Sequence, residues 1–374
     1  MTVPPKSSTI LFACGYVVPG EDCLYKFSEA ARKKIAGYVS LLANVGIEVR
    51  ILPLAAVSEQ FFRRRVPFPL QPIVNPIFNP LRLMHAIYRL FAHLSSLFLE
   101  RHSCQTLVIY NYSWETVTLA FISRYILKMR VILDYEDGIF IDEKHKRYHS
   151  MMESAALRIS DAAILSNGEL RARLPENMPN LVVSGIFPDF TLPKGKQPKP
   201  VLLYSGNIDM DFGLGILMEV LSTLEMASLE IHVTGGGKGA ERLRIYLEEH
   251  HLPHVHYHGF IPFKDLLDLE ERASGYLVLQ NEDSPYYSTN YPSKFFYYLG
   301  RLKPVFVNRC SLFEPFLSIP NAIAIDRPAD AAIVIQQYID REVDHQTVRI
   351  MMQEYNQEIG RALGELLLGN ARET

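Results

Sequence analysis

The sequence predicts an α/β protein of two domains, each built on a parallel sheet. Short apolar runs alternate with helical periodicity along nearly the whole chain, the pattern of strand–helix crossover units. Residues 188–200 (PDFTLPKGKQPKP) interrupt that alternation near the middle with four prolines and three lysines, which marks a linker. The length, 374 residues, agrees with two domains at about 150 residues each.

The elements follow in order. Thr9 to Ala13 reads as a buried strand and Phe27 to Asn44 as a helix, with Ala31, Ile35, Tyr38 and Leu42 on one stripe. Gly46 ends that helix, and Ile47 to Leu54 is the next strand. Strand patterns return at Thr106 to Tyr110, Arg130 to Asp134 and Ala162 to Leu165. Beyond the linker come strands at Val201 to Tyr204, Leu229 to Val233, Val255 to Tyr257, Tyr276 to Leu279 and Val305 to Val307. Helices fall around Leu214 to Leu224 and Glu241 to His250, and helical periodicity continues through Ala331 to Leu368. The expected division is 1–187, a linker at 188–200, 201–345, and a terminal helical segment at 346–374.

Composition excludes several classes. Apolar residues make up 48% and charged residues 21%, so neither disorder nor a fibrous chain is expected. Lys+Arg number 38 against 41 Asp+Glu, which gives no overall drive toward nucleic acid. The four cysteines contain no CxxC pair, which speaks against a disulfide framework or a thiolate metal site. The first apolar run is too short for a signal-peptide core, so a cytoplasmic protein is expected. Leu81 to Leu99 is amphipathic rather than spanning, with Arg82, His85, Arg89 and His93 as its polar stripe.

Three turns place glycine directly after a strand: Gly206-Asn207, Gly235-Gly236-Gly237-Lys238, and Gly259-Phe260-Ile261. Parallel strands open on one edge, so backbone N–H groups there can converge on a phosphate. The densest segment, Asn290 to Val307, puts Pro292, Ser293 and Lys294 at a helix start, a second anion site. In the first half, Gly15-Tyr16, Tyr112 and Asp134-Tyr135-Glu136-Asp137 follow strands and are expected at an interdomain cleft. The acidic group reads either as a contact for ligand hydroxyls and a developing positive charge, or as a solvated loop with a helix cap.

Pro-Ser-Lys-Phe-Phe at 292–296, then Tyr-Leu and Lys-Pro-Val at 303–305, resembles the donor-binding helix of GT-B glycosyltransferases, family 4 in particular. GIEVRILPL, SDAAILSNGELRARL, LLYSGNI, VTGGGKG and VHYHGFIPFKDLLDL fit the same family in order, nearly end to end. The resemblance implies two facing Rossmann-like domains with a C-terminal crossover helix. It implies a nucleotide-sugar held mainly by the second domain, an acceptor met by the first, no metal, and no cofactor beyond the donor. Donor contacts then fall to Gly206, Asn207, Gly235, Gly236, Gly237, Lys238, Gly259, Phe260, Ile261, Thr289, Pro292, Ser293, Lys294 and Tyr297. Glu136, Asp137 and Lys294 are the candidate catalytic residues, and Gly15, Tyr16, Tyr112 and Asp134 the acceptor side.

The implied activity is transfer of a hexose to a glycan or lipid-linked acceptor, retaining as family 4 members generally are, in bacterial surface polysaccharide or glycolipid synthesis. The pattern is incomplete. Thr289 and Tyr297 stand where the family has two glutamates separated by seven intervening residues, and a phenol replaces one ribose hydrogen bond but not a bidentate acceptor. Asn207 and Phe212 stand near its two phosphate cations. A non-catalytic GT-B scaffold is therefore the competing reading.

Two further clusters stand out. His254, His256 and His258 share one face of a strand, as a zinc site would want, but Val255 and Tyr257 read as packing residues and the structural reading prevails. Arg63-Arg64-Arg65 behind Phe61-Phe62, with the Leu81 to Leu99 helix, reads either as a patch on the cytoplasmic membrane face or as an ordinary charged helix surface.

Overall fold

A computed structural model describes residues 8–14, 25–26, 29–54, 56–57, 80–136, 146–191, 199–224, 229–288 and 291–369. It divides into two compact units, Met1–Ile186 with Gln357–Thr374, and Phe187–Asn356. Expectations for Gly15, Tyr16, Phe61 to Arg65, Asp137 and Thr289 lie outside the described residues.

The first unit is built on six parallel strands in the order β3-β1-β5-β6-β7-β8: β1 Ser8–Cys14, β3 Ile47–Pro53, β5 Cys104–Tyr110, β6 Arg130–Tyr135, β7 Ala162–Leu165 and β8 Asn180–Val182. A two-residue antiparallel pair, β2 (Tyr25–Lys26) with β4 (Ala56–Val57), stands apart. Helices α1 (Glu29–Asn44), α2 (Pro80–Glu100), α3 (Trp114–Phe121) and α4 (Lys146–Ile159) supply the crossovers. Ser113 starts α3 as a capping box, exchanging hydrogen bonds with Thr116.

One amphipathicity expectation is inverted on α2. His93, assigned to the polar stripe, is buried at 9% exposure, while Tyr88, Phe91 and Leu99 are exposed at 71%, 64% and 80%. His93 lies one turn before the fully buried Leu97 and so shares its inward face. Among the described residues, no helix is long and apolar enough to cross a membrane.

The second unit repeats the architecture in the order β11-β10-β9-β12-β13-β14, all parallel: β9 Val201–Ser205, β10 Glu230–Thr234, β11 Val255–Tyr257, β12 Gly275–Val278, β13 Val305–Asn308 and β14 Ala322–Ile325. Both sheet faces are buried. Leu203, Tyr276, Val278, Val305 and Val307 join one core, and Leu202, Tyr204, Ile231, Val233, Leu277 and Phe306 the other. This alternation is the period-two pattern of a strand covered on both sides. The helices are α5 (Leu214–Thr223), α6 (Ala240–Glu249), α7 (Phe263–Arg272), α8 (Lys294–Leu299), α9 (Ala331–Tyr338) and α10 (His345–Leu368).

Strand order runs outward from β9 to β10 and β11 on one side, and from β12 to β13 and β14 on the other. The crevice at the carboxyl ends of β9 and β12 is thus a topological switch point, where open α/β sheets bind ligands. The boundary between the units falls inside α10. Val348 and Met352 are buried in the second unit's core, whereas the carbonyls of Leu366 and Leu367 accept from Arg130 and Thr106 of the first unit's sheet.

Candidate functional site

At the switch point of the second unit, β9 ends on Ser205 and the chain turns through Gly206 and Asn207. Lys294, the first residue of α8, donates its ammonium to Ser205 Oγ. The fold therefore brings the cation to the first glycine turn. Pro292 and Ser293 precede the helix, and the Ser293 side chain, expected as an early-turn hydroxyl, caps nothing. Phe295 and Phe296, next along α8, are buried and fix its inward face.

The three glycine turns are joined in series. Gly206 N–H donates to Thr234 O at 3.1 Å, Gly235 N–H to Gly259 O at 2.9 Å, and Ile208 N–H to Gly236 O at 3.0 Å. The expectation that Gly206 and Gly235 offer their N–H groups to a ligand is corrected: those donors hold the turns to one another. Among the described residues, nothing accepts from the N–H groups of Asn207, Gly236, Gly237 or Lys238. These four are the donors of the turn array left available to an outside acceptor. Gly235 has φ +134°, and a Cβ there would lie 1.8 Å from Gly206 O; Gly237 has φ +156°, with Ile208 O 2.4 Å from its Cβ position. Only glycine permits turns this close.

Around this centre, Lys238 and Asn207 are exposed, and Phe212 stacks on Tyr286 with ring centroids 5.1 Å apart. Gly259 and Ile261 are half-buried, and Phe260 beside them is 90% exposed. Beyond β12, Gln280 and Asn308 exchange two hydrogen bonds, and Asn281 Nδ2 donates to Met210 O at 3.1 Å. Ser205 and Asn281 were missed in the sequence reading. Ser205 had a signal, since it immediately precedes the glycine it positions.

Tyr297, expected at a donor ribose, is engaged by protein groups. Its phenol donates to Glu270 Oε2 at 3.0 Å, and Arg301 reaches both the same carboxylate oxygen, at 3.1 Å, and the Tyr297 oxygen. Glu270 is 4% exposed on α7. A buried carboxylate needs donors, and the phenol is taken up in supplying one. Burial, then the Glu270 charge, pushes the Tyr297 phenol up to about 12. The neighbouring Tyr298 stacks flat on Tyr276, centroids 4.1 Å apart.

In the first unit the expected acceptor residues separate. Tyr112 is buried in the core, edge-on to Tyr135, rather than lining a cleft. Asp134 is fully buried: Tyr38 Oη donates to it at 3.4 Å, Lys34 Nζ stands 4.0 Å away, and Lys34 pairs closely with Glu136. Lys34 and Tyr38 come from one face of α1, an i, i+4 pair that no local motif announces. Of the two described carboxylates of the acidic group, Glu136 is the less buried, its backbone held by Asn111 and Ser166.

Burial, reinforced by Glu136, holds the Asp134 carboxyl well above its ordinary value. The folded protein thus keeps a proton that the unfolded chain releases, so stability falls as pH rises above the unfolded value of about 3.9. Asp134→Asn removes that slope. In urea melts the variant should gain on wild type between pH 4 and pH 8, and a difference independent of pH would refute the assignment.

No protein-family model matches the chain, and no curated protein does. Solved structures do. A lipopolysaccharide outer core galactosyltransferase, WaaB, superimposes with TM-score 0.57 over 97% of this chain and 100% of its own, at 13% identity. The chain has the GT-B fold. A sucrose-phosphate synthase from Thermosynechococcus elongatus matches this GT-B chain with TM-score 0.57 at 16% identity, covering 96% of it and 95% of the synthase. HepE from Anabaena, in complex with UDP and glucose, matches with TM-score 0.53 at 13% identity over 97% of both chains.

Proposed function

We propose that this GT-B protein is a glycosyltransferase that moves a hexose from a nucleotide-sugar, held by the second unit, to a glycan or lipid-linked acceptor met by the first. The observation that carries this reading is Lys294 seated on Ser205 at the switch point, beside the four outward N–H groups of the glycine turns. One cation and a fixed array of dipoles suit a diphosphate that gains charge as it leaves. Solved GT-B neighbours include HepE with UDP-glucose, which supports a uridine nucleotide as the first donor to try.

The reaction is proposed to be retaining and independent of metal, with the donor phosphate itself helping to deprotonate the acceptor. The protein then positions the two reactants and stabilises charge, and Glu136 serves the acceptor side. Synthesis of a bacterial surface polysaccharide or glycolipid at the cytoplasmic membrane face fits an acceptor of this kind.

A second reading has its own support. Tyr297 is committed to Glu270 and Arg301, and Phe212 to Tyr286, so two positions tied to donor binding in the family serve packing here. That favours a GT-B scaffold without catalysis.

Titration of UDP and UDP-hexoses by calorimetry separates the readings. Binding is expected, and Lys294→Ala should weaken it about 10- to 100-fold, the worth of one charge-assisted hydrogen bond. The urea midpoint should stay near wild type. Equal affinity in variant and wild type would remove Lys294 from the site, and absence of any nucleotide binding would favour the scaffold.

A further inference from the structure

The outer strands of the second sheet carry an unusual density of imidazole. On β10, Ile231 and Val233 enter the core packed by α5, so Glu230 and His232 stand on the opposite sheet face. In the parallel register, His232 lies beside His256 of β11, the edge strand. One ligand atom each from Glu230, His232 and His256 falls in a group whose members are all within 4.8 Å of one another.

Hydrogen bonding prepares the central member. His232 Nδ1 and His258 Nε2 are 2.8 Å apart, their rings stacked 10° from parallel. With Nδ1 as donor to His258, Nε2 presents its lone pair, and this buried nitrogen has no hydrogen-bond partner among the described residues. Glu230 Oε2 stands 3.8 Å from it, while Lys199 holds the other oxygen, Oε1, at 3.6 Å. A separation of 3.8 Å is too long for a hydrogen bond and close to the ~3.3 Å between ligands of a tetrahedral zinc with bonds near 2.05 Å.

We propose that Glu230, His232 and His256 form a zinc-type divalent metal site on the β10–β11 edge, with His258 orienting His232. Two imidazoles and a carboxylate select zinc or a similar transition metal over magnesium or calcium. Three protein ligands leave a fourth position for water. Lys199 and the nearby Arg272 oppose a cation, so affinity for the ion has to come from the two imidazoles and the carboxylate. The site is independent of the proposed transferase reading: Glu230 begins β10, whereas the glycine turn follows its end at Thr234.

The expectation of a purely structural role for the histidines draws on the packing residues of β11 and on the resemblance to a metal-free family. The deciding partner, His232, sits on the neighbouring strand.

Cobalt(II) titration of the chelator-treated full-length protein tests the proposal, with zinc competition giving the affinity. One equivalent is expected to bind with the intense visible absorption of a four- or five-coordinate ion. His256→Ala, at an exposed position, should weaken binding by on the order of 100-fold, and His258→Ala by about 10- to 100-fold, as loss of an orienting partner does. His250→Ala, which alters an exposed histidine outside the group, should bind as wild type. If His232→Ala does not fold, Glu230→Gln with His256→Ala carries the test. A weak octahedral spectrum, or His256→Ala binding as tightly as wild type, would overturn the site.

Discussion

Gly235→Ala is expected to cost about 3 kcal/mol or more of stability and to abolish nucleotide binding. A Cβ would meet the Gly206 carbonyl at 1.8 Å, and φ at this position is +134°. The carbonyl is backbone, so nothing flexible can move aside; the turns after β9 and β10 must separate. Gly236→Ala is the matched control, since a Cβ there meets nothing within 4 Å, and its cost should stay within about 1 kcal/mol. Urea unfolding and UDP titration on the two variants check this. Equal effects would mean that the turns are not held as close as described.

The buried group on α7 and α8 should respond as strongly. Glu270→Ala leaves Arg301, with a side chain 13% exposed, and the Tyr297 phenol without their shared acceptor. Removing one partner of a buried ion pair costs about 3–5 kcal/mol, because the stranded charge is poorly solvated. Tyr297→Phe deletes only one hydrogen bond and should cost about 1 kcal/mol. It should also leave nucleotide affinity unchanged, because the phenol is turned toward Glu270. A loss of affinity in Tyr297→Phe would restore that residue to the ribose, and a mild effect of Glu270→Ala would show the group to be solvated.

The strands and crossovers were legible because they follow local patterning. Apolar runs with the correct period mark β1, β5, β9 and β10 within a residue or two of their observed bounds. Glycine after a strand and Lys294 after Pro-Ser were legible for the same reason: each is a local signature of backbone geometry. Pairing across the chain was not. Nothing near Tyr297 announces that Glu270 will claim its hydroxyl, and nothing near Asp134 announces Lys34. A buried charge recruits whichever donor the fold brings to it, so a residue matched to a family motif by position can be diverted to satisfy a neighbour. The glycine turns show the same limit on a smaller scale. Their sequence announces close backbone approach, but which N–H groups face outward depends on how one turn is laid against the next.

The division of α10 between the units has a consequence for the order of folding during synthesis. The first unit comprises Met1–Ile186 and Gln357–Thr374, so all of Phe187–Asn356 is translated between its two parts. Until Leu366 and Leu367 emerge, Thr106 Oγ1 and the Arg130 guanidinium, on adjacent strands of its sheet, lack the carbonyls that they bond in the finished protein. The usual sequence, in which the amino-terminal domain completes itself while the rest is still being made, is therefore reversed. The second unit is contiguous and can close first, and α10, emerging after it, finishes the first.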